Sequence, residues 1–149
     1  MAMSVKPSLA ALSCVALAVL LPSPAQATPS SGVTAQILFE TTVPAMTGSA
    51  ETGATDLTLR RIEIAPGGTT GWHYHDGPVY AFVESGVLTR TLDDCTTVVT
   101  AAGQAITENF GSDHVHIGSN LGEVPLVLLA FYTEPAGKPL SEDAPAVTC

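Results

Sequence analysis

Short stretches of alternating polar and apolar residues, separated by turns rich in Gly, Pro, Asn and Asp, occupy this chain between residues 57 and 133. Eight or nine such segments follow one another at close spacing, and none has the period of an amphipathic helix. Because side chains alternate between the two faces of a strand, such segments need a second layer to cover their apolar face. The sequence therefore predicts an all-β fold, either a sandwich or a barrel.

One of the predicted strands changes phase along its length. Leu57 to Arg60 alternates in one phase and Arg61 to Ile64 in the other, which indicates a β-bulge at Arg60-Arg61. Pro66-Gly67-Gly68 follows, and this composition predicts that the strand ends there in a turn.

The N-terminus has the composition of an export signal. Lys6 supplies a positive charge, Leu9 to Leu21 is almost wholly apolar, and Ala25-Gln26-Ala27 has small residues where a signal peptidase cuts. We predict a cleavable signal peptide over residues 1–27, one domain over residues 28–149, and a secreted or periplasmic location. The apolar run is shorter than the roughly 20 residues that span a bilayer, so no stable membrane insertion is expected after cleavage. An uncleaved anchor and a lipid on Cys14 are the alternatives.

The charge of the chain is strongly acidic, with 5 Lys and Arg against 14 Asp and Glu and a net charge of −9. Binding to nucleic acid needs clustered cations, so nucleic acid is excluded as a partner and a small molecule is expected instead. With 149 residues, 46% of them hydrophobic, the chain suits a single packed domain. The oligomeric state stays open between a monomer and a homodimer.

Two cysteines, Cys95 and Cys149, lie outside the predicted signal peptide. In an oxidising compartment two such cysteines are expected to form a disulfide, which would join the end of the chain to a turn in the middle of the domain. Two unpaired thiols are the alternative.

All four histidines occur in two His-x-His pairs, His73-Tyr74-His75 and His114-Val115-His116. Residues i and i+2 of a strand point to the same face, so each pair can direct two imidazoles to one point. Two such strands facing each other would form a cage for one divalent transition metal, with Fe, Mn, Cu, Ni and Zn as candidates because imidazole suits them all. Solvent-exposed histidines on a hairpin are the alternative.

From about Ile62 to Tyr132 these residues resemble the cupin superfamily. Gly67, His73, His75 and Gly86 match the family's first motif, and the Glu of that motif is replaced by Val79, or by Tyr80 with one more residue counted. In the second motif Gly111 places the ligand at His114, whereas Asn120 places it at His116. The resemblance implies a single-domain jelly-roll barrel with a metal held inside its mouth.

The missing Glu implies a metal site made of histidine alone, similar to the thiol and diketone dioxygenases of the superfamily. We expect His73, His75 and His116 as ligands, His114 as a further one, and Glu108 behind them as an acceptor for an imidazole N–H. A solvated turn carboxylate is the alternative for Glu108. On the strand that follows the first His-x-His pair, an apolar pocket beside the metal is predicted from Val79, Ala81 and Val83.

The function expected from these features is metal-dependent oxidation of, or dioxygen addition to, a small organic molecule outside the cytoplasm. The alternatives are a non-catalytic barrel that binds a small ligand or buffers metal, and a structural barrel without metal. No catalytic residue beyond the metal ligands is assigned by the sequence.

Overall fold

The computed structural model describes residues 27–45 and 53–149, and in these ranges the regular structure consists of strands. The predicted signal peptide lies outside the described residues except for Ala27. No helix in the described ranges is long and apolar enough to cross a membrane. The strands are β1 (Ser31–Val43), β2 (Thr55–Thr69), β3 (His73–Tyr74), β4 (Val79–Ser85), β5 (Val87–Leu92), β6 (Thr97–Ala101), β7 (Ala105–Glu108), β8 (His116–Ser119), β9 (Leu126–Pro135) and β10 (Glu142–Asp143).

The strands form a nearly closed antiparallel barrel, which confirms the predicted all-β jelly-roll architecture. One side has the order β1-β2-β9-β4-β7, and the other has the order β6-β5-β8-β3-β10. The two sides are joined where Thr69 of β2 pairs with Ser119 of β8. The apolar side chains that face inward from both sides form the core, namely Ile62, Ile64, Val79, Ala81, Val83, Leu88, Leu126, Leu128, Ala130 and Tyr132.

Strand β2 continues through the Pro-Gly-Gly segment, where the sequence predicted a turn. Gly67 has a φ of +75°, and a Cβ on Gly68 would lie 2.9 Å from the side chain of Ile64. The backbone N–H of Gly67 donates to the carbonyl of Asn120, and the N–H of Asn120 donates to the carbonyl of Gly68. The glycines therefore allow β2 to bend from one side of the barrel to the other without ending.

The side chain of Asn120 fixes this crossing. It is fully buried, and its amide nitrogen donates to the carbonyls of Ile64 at 2.9 Å and Val124 at 2.8 Å. Its oxygen accepts the N–H of Gly122 at 3.0 Å. Each polar atom of the amide is thus satisfied, as burial requires. In the sequence, Asn120 served only to place the metal ligand of the second motif at His116. In the structure, Asn120 holds β2 beside the segment that follows β8.

The bulge predicted at Arg60-Arg61 is wrong, because β2 pairs with β9 in unbroken register from Thr55 to Ile64. The irregularity lies in the neighbouring strand β1, between Ile37 and Phe39. Alternation along β2 is therefore continuous, which places Arg60 on the inner face of the barrel.

The outer face of the same strands also carries apolar side chains, and for this reason the sequence pattern wrongly indicated a change of phase in β2. Phe39, Leu59, Phe131 and Tyr80 lie in one cross-strand row over β1, β2, β9 and β4. Tyr80 and Phe39 are about half exposed. In the sequence pattern, apolar residues at outward positions cannot be distinguished from apolar residues that face the core.

The disulfide between Cys95 and Cys149 is present, with the two Cα atoms 5.6 Å apart. It closes a loop with a sequence separation of 54 residues. In the chain-entropy model such a loop stabilises the fold by about 4 kcal/mol. The bond attaches the C-terminal segment after β10 to the turn between β5 and β6.

We expect the substitution Asn120→Ala to lower the free energy of unfolding by about 2–3 kcal/mol, because it leaves buried backbone groups without partners. Asn109→Ala, at an exposed position, is the matched control and should change stability by less than about 0.5 kcal/mol. Urea denaturation followed by tryptophan fluorescence measures both. Equal stability of the two variants would contradict the role given to Asn120.

Candidate metal centre

Three imidazoles meet inside the barrel because β3 and β8 are paired there. His73 of β3 lies directly opposite His116, the first residue of β8, and their ring centroids are 4.4 Å apart. His75 follows β3 and places its ring 5.0 Å from that of His73 and 5.2 Å from that of His116. All three side chains are buried. The local pairing of two very short strands thus brings together imidazoles more than forty positions apart in the chain.

A carboxylate completes this cluster. Glu108, the last residue of β7, places Oε2 3.2 Å from Nε2 of His75 and 3.3 Å from Nε2 of His116. One potential ligand atom from each of His73, His75, Glu108 and His116 lies within 4.8 Å of the others. The expectation of an all-histidine site is therefore wrong for this cluster, and Glu108 stands among the imidazoles rather than behind them.

The position of Glu108 explains the missing acid of the first motif. Val79 of β4 pairs directly with Glu108 of β7. Val79 is buried in the core, so an acid at position 79 and an acid at position 108 would project from neighbouring strands toward the same region. In this chain the carboxylate comes from β7, the strand that pairs with β4. In the sequence, Ile106 and Glu108 are two residues apart, so both lie on the same face of a strand. The pairing of β7 with β4 was needed to learn that this face points into the barrel.

His114 is not brought into the cluster. It lies before β8, and its N–H donates to the carbonyl of Gly111 in a turn. Its own carbonyl accepts the Nδ1–H of His116 at 2.9 Å. The rule that residues i and i+2 share a face holds only within a strand, and β8 begins at His116. His114 therefore supports His116 through its backbone.

Each of the three imidazoles is oriented by a backbone carbonyl at Nδ1. Besides the bond from His116, Nδ1 of His73 lies 2.9 Å from the carbonyl of Gly71, and Nδ1 of His75 lies 2.7 Å from that of Leu140. A carbonyl only accepts, so Nδ1 carries the proton and Nε2 presents its lone pair to the centre. Nε2 of His75 and Nε2 of His116 are buried and have no hydrogen-bond partner among the described residues.

The charges of the metal-free cluster are strongly coupled. Burial, reinforced by the neighbouring His116, lowers the pKa of His73 to about 4. Burial also acts against a charge on His116 and on Glu108, but their mutual contact outweighs it. The pKa of His116 is accordingly raised, and that of Glu108 is held well below its usual range by His116 and His75. The cluster therefore favours an anionic carboxylate facing the imidazoles.

Two further charged side chains lie behind the cluster. Arg90 is buried and places Nη1 3.4 Å from Oε1 of Glu108, which leaves Oε2 directed at the imidazoles. Glu134 is fully buried, and its Oε2 accepts the N–H of Gly77 at 2.6 Å. This bond fixes the turn between His75 and β4, where a Cβ on Gly77 would collide with the carbonyl of Thr133. Neither residue was identified from the sequence.

Two cavities adjoin the cluster. A small one of about 50 Å³ touches all four clustered side chains and has a lining of apolar residues that includes Ala81 and Leu88. A larger cleft of about 260 Å³ is lined by His73, His75 and Arg60, among others. Of the predicted pocket residues, Ala81 lines the small cavity, whereas Val79 and Val83 are buried in the core without lining it.

The cluster fits a divalent metal. Two buried ring nitrogens without partners, a third imidazole and an anionic carboxylate form a donor set of nitrogen and oxygen that suits first-row transition metals. The orientation of every imidazole by a carbonyl is also typical of metal-binding histidines.

Comparison with known proteins agrees with this geometry. Residues 60–132 match a family model described as a cupin domain. Among solved structures, a conserved double-stranded β-helix protein of Klebsiella pneumoniae is 20% identical with a TM-score of 0.59, over 80% of this chain and 91% of that one. The polyketide cyclase RemF of Streptomyces resistomycificus is 18% identical with a TM-score of 0.56, over 86% and 85% of the two chains.

KdgF of a Halomonas species is likewise similar, at 18% identity and a TM-score of 0.52, over 71% of this chain and 82% of that one. No curated protein matches the sequence. Identities this low show the shared fold and no more. Together with the family match, the barrel and its histidine motifs establish that this chain belongs to the cupin superfamily.

Proposed function

We propose that this chain is an exported metal-binding cupin that oxidises, or adds dioxygen to, a small organic molecule. One divalent metal would be held by His73, His75, His116 and Glu108. The observation that carries this proposal is the pair of buried Nε2 atoms of His75 and His116, which lie without hydrogen bonds beside a carboxylate. A buried polar atom without a partner costs about 1–3 kcal/mol, and a bound cation removes that cost.

The donor set narrows the metal to Fe, Mn, Cu, Ni or Zn, since it contains imidazole and carboxylate but no thiolate. When bound, such a metal supplies a Lewis acid and, for the redox-active members, electron transfer. The chain itself supplies orientation: the backbone carbonyls hold the imidazoles, and Arg90 holds Oε1 of Glu108.

The two cavities support a reaction between a small apolar molecule and a larger polar one. The small cavity of about 50 Å³ has room for one or two small molecules, at ~30 Å³ for each water-sized species. Its apolar lining suits dioxygen. The cleft of about 260 Å³ admits a small organic substrate, and Tyr132 between the two carries a neutral hydroxyl because burial raises its pKa to about 12.

Export is supported by the disulfide, because such bonds persist in oxidising compartments and are rare in the cytosol. The composition of residues 1–27 supports the same location, with cleavage after Ala27.

A non-catalytic metal-buffering or ligand-binding barrel is the second candidate, and the number of donors favours it. Four protein ligands complete a tetrahedral zinc site, which leaves no position for a substrate. Metal analysis of protein purified without a His tag from its native compartment, followed by an oxygen-uptake screen with small organic acids, separates the two. A redox-active metal with uptake supports the oxygenase, whereas stoichiometric zinc without uptake supports the buffer.

Variants of the clustered residues should lose metal. We expect His73→Ala, His75→Ala and His116→Ala each to weaken Zn²⁺ binding by at least about tenfold, because each removes a bond and the geometry that orients the other ligands. His114→Ala is the matched control and should bind as the unsubstituted protein does, since only its backbone supports the site. Equilibrium dialysis measures the affinity. Metal binding in all four variants equal to that of the unsubstituted protein would exclude the cluster as the binding site.

Metal binding should also depend on pH in a defined direction. His73 needs no deprotonation above its pKa of about 4, whereas His116, whose pKa Glu108 raises, must release its proton before it can bind a metal. As the pH falls through that raised pKa, His116 takes up a proton and Zn²⁺ affinity should fall by about tenfold per pH unit for each proton.

Glu108→Gln is the control for this prediction. It removes the charge that raises the pKa of His116, so the onset of the loss should move to lower pH while the maximal affinity decreases. An affinity that stays constant between about pH 5 and pH 8 would contradict the assignment of His116 as a ligand.

A further inference from the structure

The cleft beside the histidine cluster contains one guanidinium group, that of Arg60. Its lining combines His73, His75 and Tyr132 with the hydroxyls of Thr70, Ser141 and Ser30. At ~30 Å³ for each water molecule, about 260 Å³ corresponds to a ligand of roughly nine non-hydrogen atoms. Because two metal-site imidazoles form part of its wall, a molecule in this cleft touches the candidate metal centre.

Arg60 differs from its neighbour Arg61 in having no counter-ion. No carboxylate of the described residues lies within 4 Å of the Arg60 guanidinium, which stands 6.0 Å from the ring centroid of Tyr132. Arg61 points to the outer face, where it is paired with Glu63 at 3.7 Å and Glu84 at 3.1 Å. Two adjacent arginines thus have opposite environments, and the inner one, beyond its contact with Tyr132, has further donors to offer to the cleft.

We propose that Arg60 binds the carboxylate of a small organic acid and so determines which molecules enter the site. The substrate class of the proposed oxygenase would then be monocarboxylic acids, and this extension rests on the proposed function. A guanidinium forms two parallel hydrogen bonds with a carboxylate, and both bonds are charge-assisted.

The other charges of the cleft select a monoanion. Asp143 is exposed, so that water screens it, and Glu108 does not line the cleft. The cleft lining contains one guanidinium and one water-screened carboxylate, so it suits a ligand with a single negative charge better than a phosphate with nearly two. A carboxylate bound at Arg60 would have its remaining atoms directed along the cleft toward His73 and His75.

The test compares benzoate with benzamide, which has the same shape and nine non-hydrogen atoms but no charge. Both are titrated by calorimetry at pH 8 into the metal-free protein, so that the result does not depend on metal binding. We expect benzoate to bind and benzamide to bind at least about tenfold more weakly, because only the carboxylate forms charge-assisted bonds.

Substitutions at the two arginines give the matched comparison. Arg60→Gln should weaken benzoate binding by about tenfold or more, and Arg60→Lys should weaken it less, since lysine keeps the charge but loses the fork of donors. Arg61→Gln should leave it within about twofold, because Arg61 faces outward. Zn²⁺ uptake by Arg60→Gln should match that of the unsubstituted protein, which verifies the fold and separates this proposal from the metal site.

Several results would overturn the proposal. They are equal affinities for benzoate and benzamide, no benzoate binding at millimolar concentration, unchanged benzoate affinity in Arg60→Gln, or an equal loss in Arg61→Gln. If Arg60→Gln does not fold, Arg60→Lys decides the matter: an affinity equal to that of the unsubstituted protein contradicts bidentate recognition. Loss of Zn²⁺ binding in the histidine variants with intact benzoate recognition would support the cleft independently of the metal.

Discussion

The interior of this barrel depends on the pairing of His73 with His116 across β3 and β8. These strands are very short, so their alignment relies on what surrounds them: the bend of β2, the amide of Asn120, and the pairing of β10 with β3. A shift of one residue in this pair would turn an imidazole out of the barrel. The pairing of His73 with His116 therefore determines both the stability of the fold around β3 and β8 and the geometry of the site.

The sequence predicted the histidines of the cluster well because their signal is local. His73 and His75 are separated by one residue, and the turns around them are marked by Gly and Pro. The barrel architecture was likewise accessible from short alternating segments. Cys95 and Cys149 could be paired because no other cysteine follows the N-terminal apolar segment.

What the sequence did not reveal was nonlocal. Glu108 joins the imidazoles only because β7 pairs with β4 opposite Val79, and no local pattern specifies that pairing. His114 was included because the alternation rule was extended beyond the start of β8 at His116. The inward position of Arg60 was obscured by apolar residues on the outer face of β2. In each case tertiary contacts decided what local periodicity left open.

The central claim is that three imidazoles and the Glu108 carboxylate hold one metal, and anomalous diffraction from crystals of the Zn²⁺-loaded protein tests it most directly. The account predicts a single strong peak about 2.0–2.2 Å from Nε2 of His73, His75 and His116 and from a carboxylate oxygen of Glu108. A loaded crystal with its peak at His114, or with no peak inside the barrel, would contradict it.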